Sequence, residues 1–94
     1  MTAADAISLA ATDNVATALR PIAAGEHVAV SCNGAQTCVT AVEDVPLCHK
    51  VALAPLGPGE TVFKYGQPIG VATATIDAGA HVHVHNMRSN RVSS

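Results

Sequence analysis

The sequence predicts an all-β domain, on three observations. A degenerate pattern, Ile/Leu-x-x-Gly-x-x-Val, recurs at residues 22–28, 56–62 and 76–82. Short β-branched or alternating runs lie between these turns. Asn33-Gly34 sits between two of the runs, and that dipeptide is a strong signal for a two-residue hairpin turn.

Taken in order, residues 1–11 are alanine-rich, with helical propensity but no convincing apolar stripe, and form an N-terminal extension. The domain proper spans residues 12–88 and begins with Asp13-Asn14, two residues suited to turn or cap chemistry. Strands follow at residues 15–19, 28–31, 37–42, 49–53, 69–75 and 82–85. Each recurrent pattern reads as an apolar residue ending one strand, a tight turn with glycine at φ > 0, and a strand that starts again. Pro58 suits an early position of the second turn because its φ is preset. The spacing of the copies is irregular, so a turn type recurs without making a solenoid. A polar tail occupies residues 89–94.

Ninety-four residues make one small domain, and 49% hydrophobic content with 13% charged residues is too apolar for a disordered chain. The apolar side is mostly Ala and Val, with one Phe, one Tyr and no Trp, so each buried residue contributes modestly. Surface-to-volume scaling makes such a domain marginal, which favours a partner chain or a homo-oligomer. A net charge of −2 with five scattered Lys or Arg excludes a nucleic-acid binder. A basic n-region and a long apolar run are both absent, which predicts a cytoplasmic chain with no membrane association. Cys32, Cys38 and Cys48 lack CxxC spacing and are expected to be free thiols.

The densest chemistry is His81-Val82-His83-Val84-His85-Asn86. On a strand the three imidazoles would share one face, about 6.5–7 Å apart, with the valines on the other. That row is either a solvated face or a set of ligands for one metal ion or one anion. Further ligands would have to come from elsewhere, with His49, Asp13 or another subunit as candidates. The second cluster, Lys64-Tyr65-Gly66-Gln67-Pro68-Ile69-Gly70, is either a turn with Tyr65 packed over the small-residue core or a loop presenting Lys64 and Tyr65 to an anion. No Ser-His-Asp or Gly-x-Ser-x-Gly arrangement supports nucleophilic catalysis.

Asp13-Asn14-Val15-Ala16, His49-Lys50-Val51-Ala52-Leu53, Lys64-Tyr65-Gly66 with Ile69-Gly70, and Val82-His83-Val84-His85-Asn86 together resemble the SAF domain of the altronate and galactarate dehydratase family. That resemblance implies a β-clip fold with little helix and the small subunit of a sugar-acid hydro-lyase, inactive without a large catalytic subunit. The alpha subunit of sulfolactate sulfo-lyase is of the same kind, and other SAF-like domains are ligand-binding or assembly modules. The resemblance further implies a divalent metal, expected to be Fe2+, held by His83, His85 and His49. It places His49, His85 and Lys64 as acid-base groups, and Lys64, Tyr65, Asn86, Asp13 and Asn14 against an anionic sugar acid. Two departures stand out: Cys48 replaces the family's glycine before His-Lys, and Leu9-Ala10-Ala11-Thr12 lacks the histidine often found before Asp-Asn.

Overall fold

The computed structural model describes residues 4–89. Among them are nine strands and no helix: β1 (Ala6–Ser8), β2 (Val15–Ala18), β3 (His27–Cys32), β4 (Ala35–Thr40), β5 (Lys50–Ala52), β6 (Thr61–Lys64), β7 (Gln67–Ala72), β8 (His81–Val82) and β9 (Met87–Ser89). Six form one sheet in the order β4-β3-β1-β2-β5-β8, and three form a second in the order β6-β7-β9. The all-β expectation of a SAF-like fold holds.

The recurrent turn is the unit of construction. Its full form is Ala-x-x-x-Φ-x-x-Gly-x-x-Val with Φ apolar, and it occurs four times: from Ala18 to Val28, Ala41 to Val51, Ala52 to Val62 and Ala72 to Val82. The second copy escapes the simpler pattern because Val45 and Cys48 stand for Ile/Leu and Gly. Cys48 nonetheless has φ 69°, beside 90°, 88° and 86° at Gly25, Gly59 and Gly79.

The copies clasp in reciprocal pairs. The amide of Gly25 donates to the Ala41 carbonyl (2.7 Å) and that of Cys48 to the Ala18 carbonyl (2.9 Å). In the second pair Gly59 donates to Ala72 (2.7 Å) and Gly79 to Ala52 (2.8 Å). Isolated bridges join Ile22 to Val45 and Leu56 to Ile76. All four alanines are buried, each with its carbonyl bonded to the left-handed residue of its partner's turn.

Each pair has its own core. Ile22, Val28, Val45 and Val51 lie in one apolar cluster, and Leu56, Val62, Ile76 and Val82 in the other. Full burial of such a side chain is worth about 1.5–3 kcal/mol, so the eight anchors carry much of the hydrophobic stabilisation.

Both two-residue hairpins use left-handed backbone. Asn33-Gly34 joins β3 to β4 with φ of 51° and 87°, and Tyr65-Gly66 joins β6 to β7 with 54° and 78°. Positive φ at both central positions is the requirement of a type I′ turn, whose twist matches the strands.

Three expectations are corrected. The alanine-rich residues 6–8 are a strand between β2 and β3, parallel to β3. Asp5 fixes this entry, accepting hydrogen bonds from the Ala29 amide (2.9 Å) and the Arg20 Nε (2.9 Å). The predicted strand over residues 82–85 stops at Val82, so Val82 is 0% exposed but Val84 is 79% exposed. At the other end, Met87–Ser89 pairs with β7, which takes Ser89 out of the polar tail. Residues 1–3 of the extension and 90–94 of the tail lie outside the described residues.

Candidate metal and anion site

β5 and β8 are neighbours, with Lys50 opposite Val82 and Val51 opposite His81. This pairing brings the histidine before β5 to the histidines that begin and follow β8. His49 Nδ1 and His81 Nε2 are 2.8 Å apart. The His49 and His83 rings stack at 4.2 Å between centroids, and the His81 and His83 rings lie 5.6 Å apart. One ligand nitrogen from each of His49, His81 and His83 falls within 4.8 Å of the others.

Asn86 shapes the end of the histidine segment. Its Oδ1 accepts the His83 amide (2.9 Å), its Nδ2 donates to the His81 carbonyl (2.8 Å), and its own amide donates to the His83 carbonyl (3.1 Å). These bonds curl residues 83–86 into a turn, the kind of local competition through which Asn ends a strand. Glu43 Oε2 accepts the His81 amide at 3.0 Å from the other side.

The donor set fits a divalent transition metal. Imidazole suits Fe, Zn, Cu and Ni, and three such ligands leave coordination positions for substrate or water. At metal–nitrogen distances of about 2.0–2.1 Å, two ligand nitrogens on one ion stand roughly 3–3.4 Å apart. Binding would therefore replace the His49–His81 hydrogen bond, part those two nitrogens slightly and draw together any of the three that stand farther apart within their 4.8 Å span. Ligation needs neutral imidazole, and burial followed by the charge of His49 lowers the pKa of both His81 and His83.

The predicted metal set was His83, His85 and His49. The structure brings together His49, His81 and His83 instead, while the His85 ring is tilted 40° to that of His81 at 5.2 Å between centroids and stands outside the cluster of ligand atoms. The reason is the Asn86 turn, which ends the alternation that would have aligned His85 with its neighbours.

Beside the histidines lies a cationic patch. Lys64 Nζ sits 5.1 Å from the centre of the Tyr65 ring, and the Tyr65 hydroxyl donates to Thr17 Oγ1 (3.1 Å). Tyr65 is exposed and is not packed over the core. Thr17 is the cross-strand partner of Lys50, and Lys50 is half-buried. Burial, then the Lys64 charge, lowers the Lys50 pKa, and Lys50 in turn acts on His83.

Asp13 and Asn14 hold this patch in place through backbone. Asp13 Oδ1 accepts the Gly66 amide (2.8 Å) and Oδ2 the Leu9 and Ala10 amides (3.0 and 3.1 Å). Asn14 accepts from the Phe63 amide (2.8 Å) and donates to the Thr61 carbonyl (2.9 Å). Asp13 is thus not in the histidine cluster, and Asn86 also spends its side chain on backbone. Sequence reasoning missed Lys50, Thr17 and Glu43. Lys50 carried a signal, since it follows a ligand-type histidine, whereas Glu43 carried none.

The cysteines are free, with Cys38 and Cys48 exposed. An open groove of about 300 Å³ runs along Pro21, Ile22, Ala23, Glu26, Asp44, Val45 and Pro46 and includes none of the site residues.

Comparison with known proteins places this architecture. Residues 4–90 match the model of the altronate/galactarate dehydratase SAF domain. The chain belongs to that family. This SAF domain is 48% identical over 84 residues to an altronate dehydratase of Escherichia coli, covering 89% of the chain and 16% of that protein. It is 37% identical over 78 residues to an altronate dehydratase of Bacillus subtilis, covering 83% of the chain and 15% of the relative. It is also 45% identical over 53 residues to the (2R)-sulfolactate sulfo-lyase subunit alpha of Paracoccus pantotrophus, covering 56% of the chain and 79% of that subunit. The SAF domain therefore spans about one sixth of the altronate dehydratases it matches. Among the described residues no helix is long and apolar enough to cross a membrane.

Proposed function

We propose that this SAF domain works as the small component of a sugar-acid dehydratase, with a large catalytic chain completing the site. The observation that carries the reading is the convergence of three imidazoles beside two lysines, a tyrosine and a threonine, in a family of altronate and galactarate dehydratases.

In this reading His49, His81 and His83 hold a divalent metal such as Fe2+. The metal, when bound, supplies Lewis-acid stabilisation of the substrate carboxylate and of the departing oxygen. Lys64 and Tyr65 hold the anionic end of the sugar acid by a point charge and a hydroxyl donor. His85, which is not among the three ligand residues, accepts or returns a proton in this reading. Dehydration breaks the C–H bond α to the carboxylate and the C–O bond at the β carbon. The C–H electron pair becomes the C=C bond of an enol, and hydroxide leaves with a proton as water. The enol then tautomerises to a 2-keto-3-deoxy acid.

A second reading, the alpha subunit of a sulfolactate sulfo-lyase, is favoured by the 79% coverage of that relative. The same anion-holding and proton-moving groups would then serve cleavage of a carbon–sulfur bond.

The test is metal analysis and a dehydration assay on the chain purified together with a dehydratase large chain, comparing wild type with His49→Ala, His81→Ala and His83→Ala. Loss of metal and turnover with folding and assembly intact supports the proposal. Unchanged metal content and turnover would make the histidines a solvated face and the domain a binding or assembly module.

A further inference from the structure

We propose that Lys50, with Lys64, Thr17 and Tyr65, forms an anion subsite for the carboxylate of a small hydroxy acid, and that Lys50 is its anchor. The identity of the acid rests on the dehydratase reading, whereas the subsite itself rests on the following geometry.

Lys50 is half-buried on β5, directly opposite Thr17, whose hydroxyl holds the Tyr65 ring beneath Lys64, and the Lys64 charge reaches it. Among the described residues the ion pairs are those of Arg20 with Asp5 and Glu26, and neither lysine has an acidic partner. A half-buried ammonium beside another ammonium costs stability unless something compensates it, and an anion bridging the two lysines would do so.

The neighbours supply donors pointing to the same conclusion. The Thr17 hydroxyl accepts from Tyr65, so its own proton is left to donate. Thr17 and Lys50 are directly opposed on β2 and β5, and Lys64 lies over the Tyr65 ring. Two ammonium groups and a hydroxyl, with no acceptor other than these hydroxyl oxygens among the four side chains, match a planar anion offering two oxygens. The turn Tyr65-Gly66 that carries half of the subsite is itself pinned by Asp13.

Sequence motifs gave Lys64 and Tyr65 this task without Lys50. The structure makes Lys50 the less compensated of the two lysines, since Lys64 already has an aromatic face.

The subsite is tested without metal. The chain in EDTA is titrated with D-altronate at constant ionic strength while backbone amide shifts are followed by NMR, with the uncharged polyol altritol as control. We expect saturable shifts at Thr17, Lys50 and Lys64 with altronate and none with altritol. Lys50→Gln should weaken binding about tenfold or more, the scale of one lost charge-assisted hydrogen bond, while Lys50→Arg keeps most of the affinity. An unchanged amide spectrum away from the site shows that each variant is folded. Equal response to altritol, a twofold or smaller effect of Lys50→Gln, or no saturation by about 100 mM altronate (weaker than about −1.4 kcal/mol) would overturn the proposal. Tighter binding of methanesulfonate than of altronate would overturn the carboxylate assignment. Metal affinity of the histidine variants is read separately, so failure of the metal reading leaves this outcome intact.

Discussion

Four turns with one backbone design allow a graded test in which only the residue at the left-handed position changes. Cys48 holds φ 69° where the other three turns have glycine. A non-glycine residue in that region costs about 1–2 kcal/mol, and Cys48→Gly removes this strain. The substitution also frees the unfolded chain, which costs about 0.4–1 kcal/mol. The net is a gain of about 0.5–1 kcal/mol, or roughly 2–8 °C in Tm for a domain of this size. Gly59→Ala runs the same change backwards, because a Cβ there meets nothing within 4 Å. It should lose about 0.5–1 kcal/mol.

Gly79→Ala differs in kind. A Cβ on Gly79 would collide with the Thr40 carbonyl oxygen and sit 3.3 Å from the Ala41 Cα. Both are backbone atoms, and the Val42 amide beside them donates to the Gly79 carbonyl (3.0 Å). Overpacking adds about 1–3 kcal/mol to the conformational strain, for a loss of about 2–4 kcal/mol. Urea or thermal unfolding of the 94-residue chain reads all three variants. A destabilising Cys48→Gly, or equal losses for Gly59→Ala and Gly79→Ala, would refute the claim that the four turns share one design and differ only in their surroundings.

Asn86→Ala should cost about 1–3 kcal/mol, because it leaves the His83 amide and His81 carbonyl without partners, and denaturant unfolding measures it. The same variant should weaken Co2+ binding followed by its d–d spectrum, since the turn places His83 beside His49. Asp13 gives a pH dependence: burial pushes its carboxyl up, but amides of Gly66, Leu9, Ala10 and Tyr65 outweigh burial and hold it below the ordinary 3.8. Its contribution is fully present above the unfolded-state value and is lost as pH falls through the lower folded value, so Asp13→Asn should flatten the stability–pH curve below about pH 4. Asp5→Ala should cost about 1–2 kcal/mol by releasing the Ala29 amide and Arg20, and hydrogen exchange should report it first at β1.

The fold class was legible because its determinants are local. Asn33-Gly34 and the three glycine turns announce themselves in a few residues, and the strands beside them follow. β1 was not legible: Ala6-Ile7-Ser8 has weak strand propensity and is extended because β2 and β3 flank it. The second turn was hidden behind Cys48, whose backbone the clasp with Ala18 explains. In the site, His49 and His83 were legible as chemistry. His81 displaced His85 from the ligand cluster because Asn86, read as a substrate contact, bonds its own chain instead.

The four turns also explain why the histidines gather where they do. Alanine, the apolar bridge residue, the left-handed residue and valine are committed to clasp and core in every copy. The two positions after the left-handed residue are not, and they hold Glu26-His27, His49-Lys50, Glu60-Thr61 and Ala80-His81. The second and fourth copies belong to different pairs, yet β5 and β8, which begin at these positions, are the strands through which the pairs join. His49 and Lys50 therefore meet His81 across the seam between two halves. Glu26 and Glu60 occupy the equivalent positions of the other two copies, and Glu26 is spent locally, on the Ala23 amide and Arg20. A scaffold that fixes four residues in each turn leaves chemistry to those beside them, and only at the seam do two such sets face each other. Substitutions at the seam should thus act on metal and anion binding with little effect on stability, whereas those at the clasp should do the reverse.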